Sequence, residues 1–120
     1  MSASYAAIKV EIADHIATVT LDNPKQRNPF TAEFKQDMLT LCRDMQARDD
    51  IDVMIITGRD GVFSAGGDLR SLNNTDGRTT TGDRRRIYQI HEWFQTLLNL
   101  EMPVIAAVDG AAYGGGFGLA

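Results

Sequence analysis

Pro103-Val-Ile-Ala-Ala-Val-Asp-Gly110, continuing as Ala111-Ala-Tyr-Gly-Gly-Gly-Phe-Gly-Leu-Ala120, reads as three events in a row. A short continuous apolar run gives a buried-type strand, Asp109–Tyr113 a turn, and Gly114 the start of a helix. The same grammar occurs earlier. Val53-Met-Ile-Ile-Thr-Gly58 is a second apolar strand, and Phe63-Ser-Ala-Gly-Gly-Asp-Leu69 follows it as an extended piece and a glycine turn. From Gly66 the pattern predicts a short helix through Leu72.

Outward from these two segments, Tyr5–Ile12 and His15–Leu21 alternate as strands about a tight turn at Ala13–Asp14. Asp22–Phe30 carries Pro24, Asn28 and Pro29 and reads as a loop. Thr31 is placed to cap a helix with Glu33 in its first turn. Phe34, Met38, Leu41 and Met45 then share one helical face, which ends by Asp49–Asp52. Asn73–Gly82 is polar. Asp83 is expected to cap a helix reaching about Asn99, with Ile87, Ile90, Phe94, Leu97 and Leu98 as one inward stripe. Strands alternating with helices in this order predict an α/β fold with covered strands and right-handed crossovers.

Composition narrows the function. The chain has 120 residues, 43% of them hydrophobic, enough for a packed core in one domain or a large part of one. A formal charge of −4 argues against nucleic-acid and membrane-surface partners. Cys42 is the only cysteine, which excludes an internal disulfide and a multi-cysteine metal site. A reducing, cytoplasmic setting follows most simply. No apolar run reaches membrane-spanning length, and Met1–Ala7 has no secretory pattern. The chain is expected to be part of a longer protein, because Ala120 falls in a helix that has just begun.

Glycine permits close backbone approach, and the first amides of a helix have no partner within it. Two such turns facing each other can place two N–H donors on one ligand oxygen, where developing negative charge is stabilised. The plainer reading is tight turns and close packing; the pairing of the segments favours function. Rival motifs fail. No lysine follows Gly114–Gly116, no complete G-x-G-x-x-G occurs, Val62 stands where a nucleophile elbow at Ser64 needs glycine, and His91-Glu-Trp-Phe-Gln95 lacks a second histidine for zinc.

Phe63–Leu69 and Pro103–Gly116 resemble the two hallmark segments of the crotonase (enoyl-CoA hydratase/isomerase) superfamily, and Asp22-Asn-Pro-Lys-Gln-Arg-Asn28 resembles its first loop. The resemblance spans Ile8 to Ala120 in order and spacing. It implies a crotonase-like spiral of ββα units, of which residues 1–120 are the N-terminal part of the core domain. It also implies an acyl-CoA thioester as substrate, no separate cofactor or metal, and a homotrimer or a hexamer built as a dimer of trimers. The thioester oxygen becomes enolate-like in that family, held by two backbone amides. These map onto Ala65, with Gly67 as the second register, and onto Gly115. Gly66, Asp68 and Leu69 would line the pantetheine and adenine side, Tyr113 and Gly118 the acyl end. Arg27 and Arg70 would face CoA phosphates, a role suited to a planar guanidinium; the alternative for each is an ordinary solvated arginine.

The departure lies at Gly118, where the hydratases of the family carry a proton-transferring glutamate. A two-glutamate hydration mechanism is therefore disfavoured, and double-bond isomerisation of an enoyl-CoA is the leading expectation. His91, twelve residues before Pro103, stands near the catalytic histidine of the related aroyl-CoA dehalogenases. It lies about 40° from Ile87 on the helical wheel and is expected to face inward. Hydrolysis or dehalogenation through His91 is the alternative chemistry, and simple packing is the alternative role. A non-catalytic CoA-ester binding protein is the other class. His15 reads as a surface residue, Asp68 as a helix-start residue, and Trp93, Phe94 and Cys42 as packing residues.

Overall fold

The computed structural model describes residues 5–67 and 79–120. β1 (Ile8–Ala13) and β2 (Ile16–Leu21) form an antiparallel hairpin in which Ala13 pairs with Ile16. The two residues between them, Asp14 and His15, both take positive φ, 53° and 64°. That is the backbone of a two-residue turn matched to strand twist. Asp and His both tolerate this region better than most residues, and the strand expected from His15 starts one residue later, at Ile16.

A single 3₁₀ turn (Pro24–Gln26) and a two-residue strand β3 (Pro29–Phe30) interrupt the first loop. α1 (Ala32–Ala47) begins as expected: the Thr31 hydroxyl accepts the Phe34 N–H at 3.1 Å. β4 (Val53–Thr57), β5 (Val62–Ser64) and β6 (Gly66–Gly67) follow. α2 (Thr80–Leu98) leads to β7 (Val104–Ala107), β8 (Ala111–Ala112) and α3 (Gly115–Leu119). Thr79, not Asp83, caps α2, accepting the Gly82 N–H at 2.9 Å.

The main sheet runs β1-β2-β4-β7, with β2, β4 and β7 parallel. β3 pairs with β6 and β5 with β8, both parallel. On the inner face of the sheet Ala17, Val19, Leu21, Met54 and Ile56 meet Phe34, Met38, Leu41, Cys42 and Met45 of α1, joined by Trp93 and Leu97 of α2. Burial of this order contributes about 1.5–3 kcal/mol per large side chain. Asp37 adds a tie at the start: its carboxylate accepts the Ala6 and Ala7 N–H groups at 3.0 and 2.7 Å.

Two expectations about covered surfaces are corrected. β4 alternates, with Met54 and Ile56 buried and Val53, Ile55 and Thr57 half-buried, so among the described residues helices cover one of its faces. Among the described residues β7 is the last strand of the sheet, and Ile105 is 51% exposed. A continuous apolar run carries no record of which face is filled.

Candidate active site

The parallel strands β4 and β7 end side by side, and both glycine segments leave from that end. Three contacts hold the departures together. The Thr57 hydroxyl donates to the Ala107 carbonyl at 3.0 Å, the Gly58 N–H donates to the Asp109 carboxylate at 3.3 Å, and the Ala111 N–H reaches the Gly61 carbonyl at 3.4 Å. Asp60 and Gly61 take positive φ, 55° and 77°, and fold the first segment back into β5.

Beyond β5 the first turn is locked into the Asp22–Asn28 loop. Ala65 donates its N–H to the Arg27 carbonyl at 2.8 Å, and Gly66 donates to the Ser64 hydroxyl at 3.1 Å. Gly66–Gly67 then forms β6 against β3, not the first turn of a helix. The helix expected from Gly66 to Leu72 is thus corrected at its start. Gly67 itself is exposed.

The second turn does start a helix. Gly114 precedes α3 at φ 51°, and the Gly116 N–H closes onto the Tyr113 carbonyl at 2.8 Å. Gly115 is the first helical residue, so its own N–H lies among those a helix cannot satisfy. A Cβ on Gly66, which sits at φ 82°, would lie 2.6 Å from that Gly115 nitrogen. The two turns therefore touch, backbone on backbone, where only glycine fits. Phe30 supports Gly115 from below, its ring 2.6 Å from where a Cβ would be, and stacks at 5.0 Å on Phe34 and edge-on to Trp93 at 5.1 Å.

Asn28 and Ser64 form the buried hub between the loops, 2% and 0% exposed. Asn28 Oδ1 accepts the Asn23 N–H at 2.6 Å, and its Nδ2 donates to the Phe63 carbonyl at 2.8 Å. The Ser64 hydroxyl donates to the Asn28 carbonyl at 2.8 Å, while the Ser64 carbonyl accepts the Tyr113 N–H at 2.9 Å. Sequence reading quoted both residues and gave neither a role. The signal was a side-chain amide beside prolines in a loop, a residue type that bonds neighbouring backbone.

The expected site residues fall into four groups. Ala65, Gly66, Gly67, Tyr113 and Gly115 come together, with Arg27 joined to them through its carbonyl and its side chain exposed. Tyr113 and Gly118 are exposed, and nothing lies within 4 Å of a Cβ built on Gly118. Asp68, Leu69 and Arg70 lie outside the described residues. His91 stands apart and is corrected: it is exposed and does not face inward. α2 turns Trp93 and Leu97 into the core, which leaves Ile87 56% and Leu98 75% exposed on the side that His91 shares. The single apolar stripe was in fact two. Trp93 and Phe94 pack as expected, ring centroids 4.0 Å apart. Cys42 is buried, and burial pushes its thiol up to about 12.

Among the described residues no group of three or more histidine, cysteine or acidic side chains is placed to hold a metal ion, and no helix is long and apolar enough to cross a membrane.

Comparison with known proteins places this geometry. The family model described as enoyl-CoA hydratase/isomerase matches residues 11–120. A carboxymethylproline synthase of Pectobacterium carotovorum is 34% identical, over 89% of this chain and 42% of its own length. 4-Chlorobenzoyl coenzyme A dehalogenase-2 of an Arthrobacter species is 29% identical, over 93% of this chain and 41% of its own length. The crystal structure of an enoyl-CoA hydratase from Polaromonas sp. JS666 superposes with a TM-score of 0.86 at 32% identity, over 95% of this chain and 44% of that one. The chain thus spans less than half the length of these relatives.

Proposed function

The chain belongs to the enoyl-CoA hydratase/isomerase family, and from that premise we propose that it binds acyl-CoA thioesters and stabilises their enolate form. The thioester oxygen takes N–H donors from Gly67 and Gly115. Gly67 replaces Ala65 in this role because the Ala65 amide already donates to Arg27. The observation that carries the reading is the contact of the two glycine turns, with the Gly115 amide at a helix start beside Gly66. In a water-poor site one such donor is worth on the order of 10²–10³ in rate. Exposed Arg27 is assigned to CoA phosphate, and from the sequence alone so is Arg70, with Asp68 and Leu69 on the pantetheine and adenine side.

Double-bond isomerisation is the reaction we favour. A proton leaves the carbon next to the thioester carbonyl or its vinylogue, charge moves onto the held oxygen, and a proton returns elsewhere along the chain. Position 118 supplies no side chain for this transfer. Dehalogenation or hydrolysis through His91 is supported by likeness to the Arthrobacter enzyme but opposed by the outward placement of His91. A trimer-based assembly belongs to the same proposal and is read by light scattering.

The test is to incubate the purified protein in D₂O with butyryl-CoA, enoyl-CoA and aroyl-CoA esters, following binding and products. Deuterium exchange next to the thioester carbonyl, with migration of the double bond, is the expected result. Binding without exchange leaves only a CoA-ester binding protein, and no binding removes both.

A further inference from the structure

The amides proposed above are held by backbone, so something must set the spacing between two separate turns. Three loops meet at the buried pair Asn28 and Ser64. Asn28 sits at φ 50°, a corner that Asn tolerates better than most residues. From there its side chain grips Asn23 on its own loop and Phe63 on the first turn. Its carbonyl holds the Ser64 hydroxyl, which in turn receives the Gly66 N–H, while the Ser64 carbonyl receives Tyr113 at the head of the second turn. A Cβ on Gly116 would collide with the Ser64 backbone, so the second turn seats directly on this hub.

We propose that Asn28, acting through Ser64, is the positioning residue that fixes Gly67 and Gly115 at the separation an enolate oxygen needs. It touches no substrate. Its effect is on the charged form of the ligand, because only that form depends on both donors pointing at one atom. This rests on the oxyanion reading above.

Acetoacetyl-CoA and butyryl-CoA separate the two. Both present the same CoA to the protein, but acetoacetyl-CoA ionises readily to an enolate, visible by its ultraviolet absorbance. Wild-type protein is expected to bind acetoacetyl-CoA in preference and to raise its enolate fraction. Asn28→Asp keeps the corner and the acceptor for Asn23 but loses the donor to Phe63. It is expected to lose about tenfold or more of the preference, since small misplacements of reacting groups carry costs up to about 10². Butyryl-CoA affinity should change less than about twofold. Ser64→Ala, which keeps the fold's backbone, should lose about fivefold in the same ratio; it decides the matter if Asn28→Asp does not fold. Parallel loss of both ligands, or no loss of either, in the folded variant overturns the positioning role. A wild-type protein with no enolate preference overturns the oxyanion reading itself and this inference with it.

Discussion

At the first glycine turn, Ala65 and Gly66 direct their amides sideways to Arg27 and Ser64, and the chain continues as the short strand β6. At the second, Gly114–Gly116 enters α3, and the free amide is supplied by the helix start itself. The two segments share a sequence grammar of apolar strand and glycine turn, yet the first spends its amides on a hydrogen-bonded network, while the second, seated on that network, draws its free amide from helix geometry. A donor of the first kind is only as well placed as its network. A donor of the second kind rests on that network at Tyr113 and is backed in addition by the Phe30 ring.

The largest effect should come from the second turn's support. Phe30→Ala removes a ring that is 4% exposed and touches Phe34, Trp93 and Phe94. It should cost about 3–5 kcal/mol in denaturant unfolding, and a loss below 1 kcal/mol would show the turn does not lean on it. Gly66→Ala probes the contact between the turns. The added carbon meets the Gly115 nitrogen and takes a left-handed backbone, so a loss of about 2–3 kcal/mol is expected, together with loss of CoA-ester binding. Gly118→Ala lies two residues beyond Gly116 in the same helix and meets open space. It should change stability by no more than about 0.5 kcal/mol, and a large loss there would mean the crowding is not confined to the contact. The smallest effect lies at the other end of β4. Arg48 bonds Asp50 and holds its carboxyl down to about 2. A carboxyl lowered from its ordinary value adds stability above about pH 4 that fades as pH falls toward 2. Because the pair is exposed, only a slight flattening of the acid limb is expected in Asp50→Asn, with nothing changed at either turn.

Much of this was legible beforehand. Thr31 capping α1, the Phe34–Met45 face and β4 follow from local rules: a hydroxyl at a helix start, period 3.6, and an apolar run. The family resemblance was legible too, since its motifs are strings of glycine and small residues fixed by close backbone contact. What escaped depends on partners distant in sequence. Gly66 and Gly67 look like any helix opening until Pro29 and Phe30 pair with them. The Ala65 amide looks free until Arg27 accepts it. His91 belongs to the wide apolar arc of α2, and only the choice of Trp93 as the core-facing residue turns it outward.

Trp93 has one more consequence. It is the only tryptophan in the chain, fully buried, and its indole N–H finds no acceptor among the described residues. An indole in dry aromatic surroundings emits at short wavelength, and this one touches the ring of Phe30, which lies against Gly115. The protein thus carries its own fluorescent gauge one side chain away from the second turn. Occupancy of that turn becomes readable by light, with no label attached.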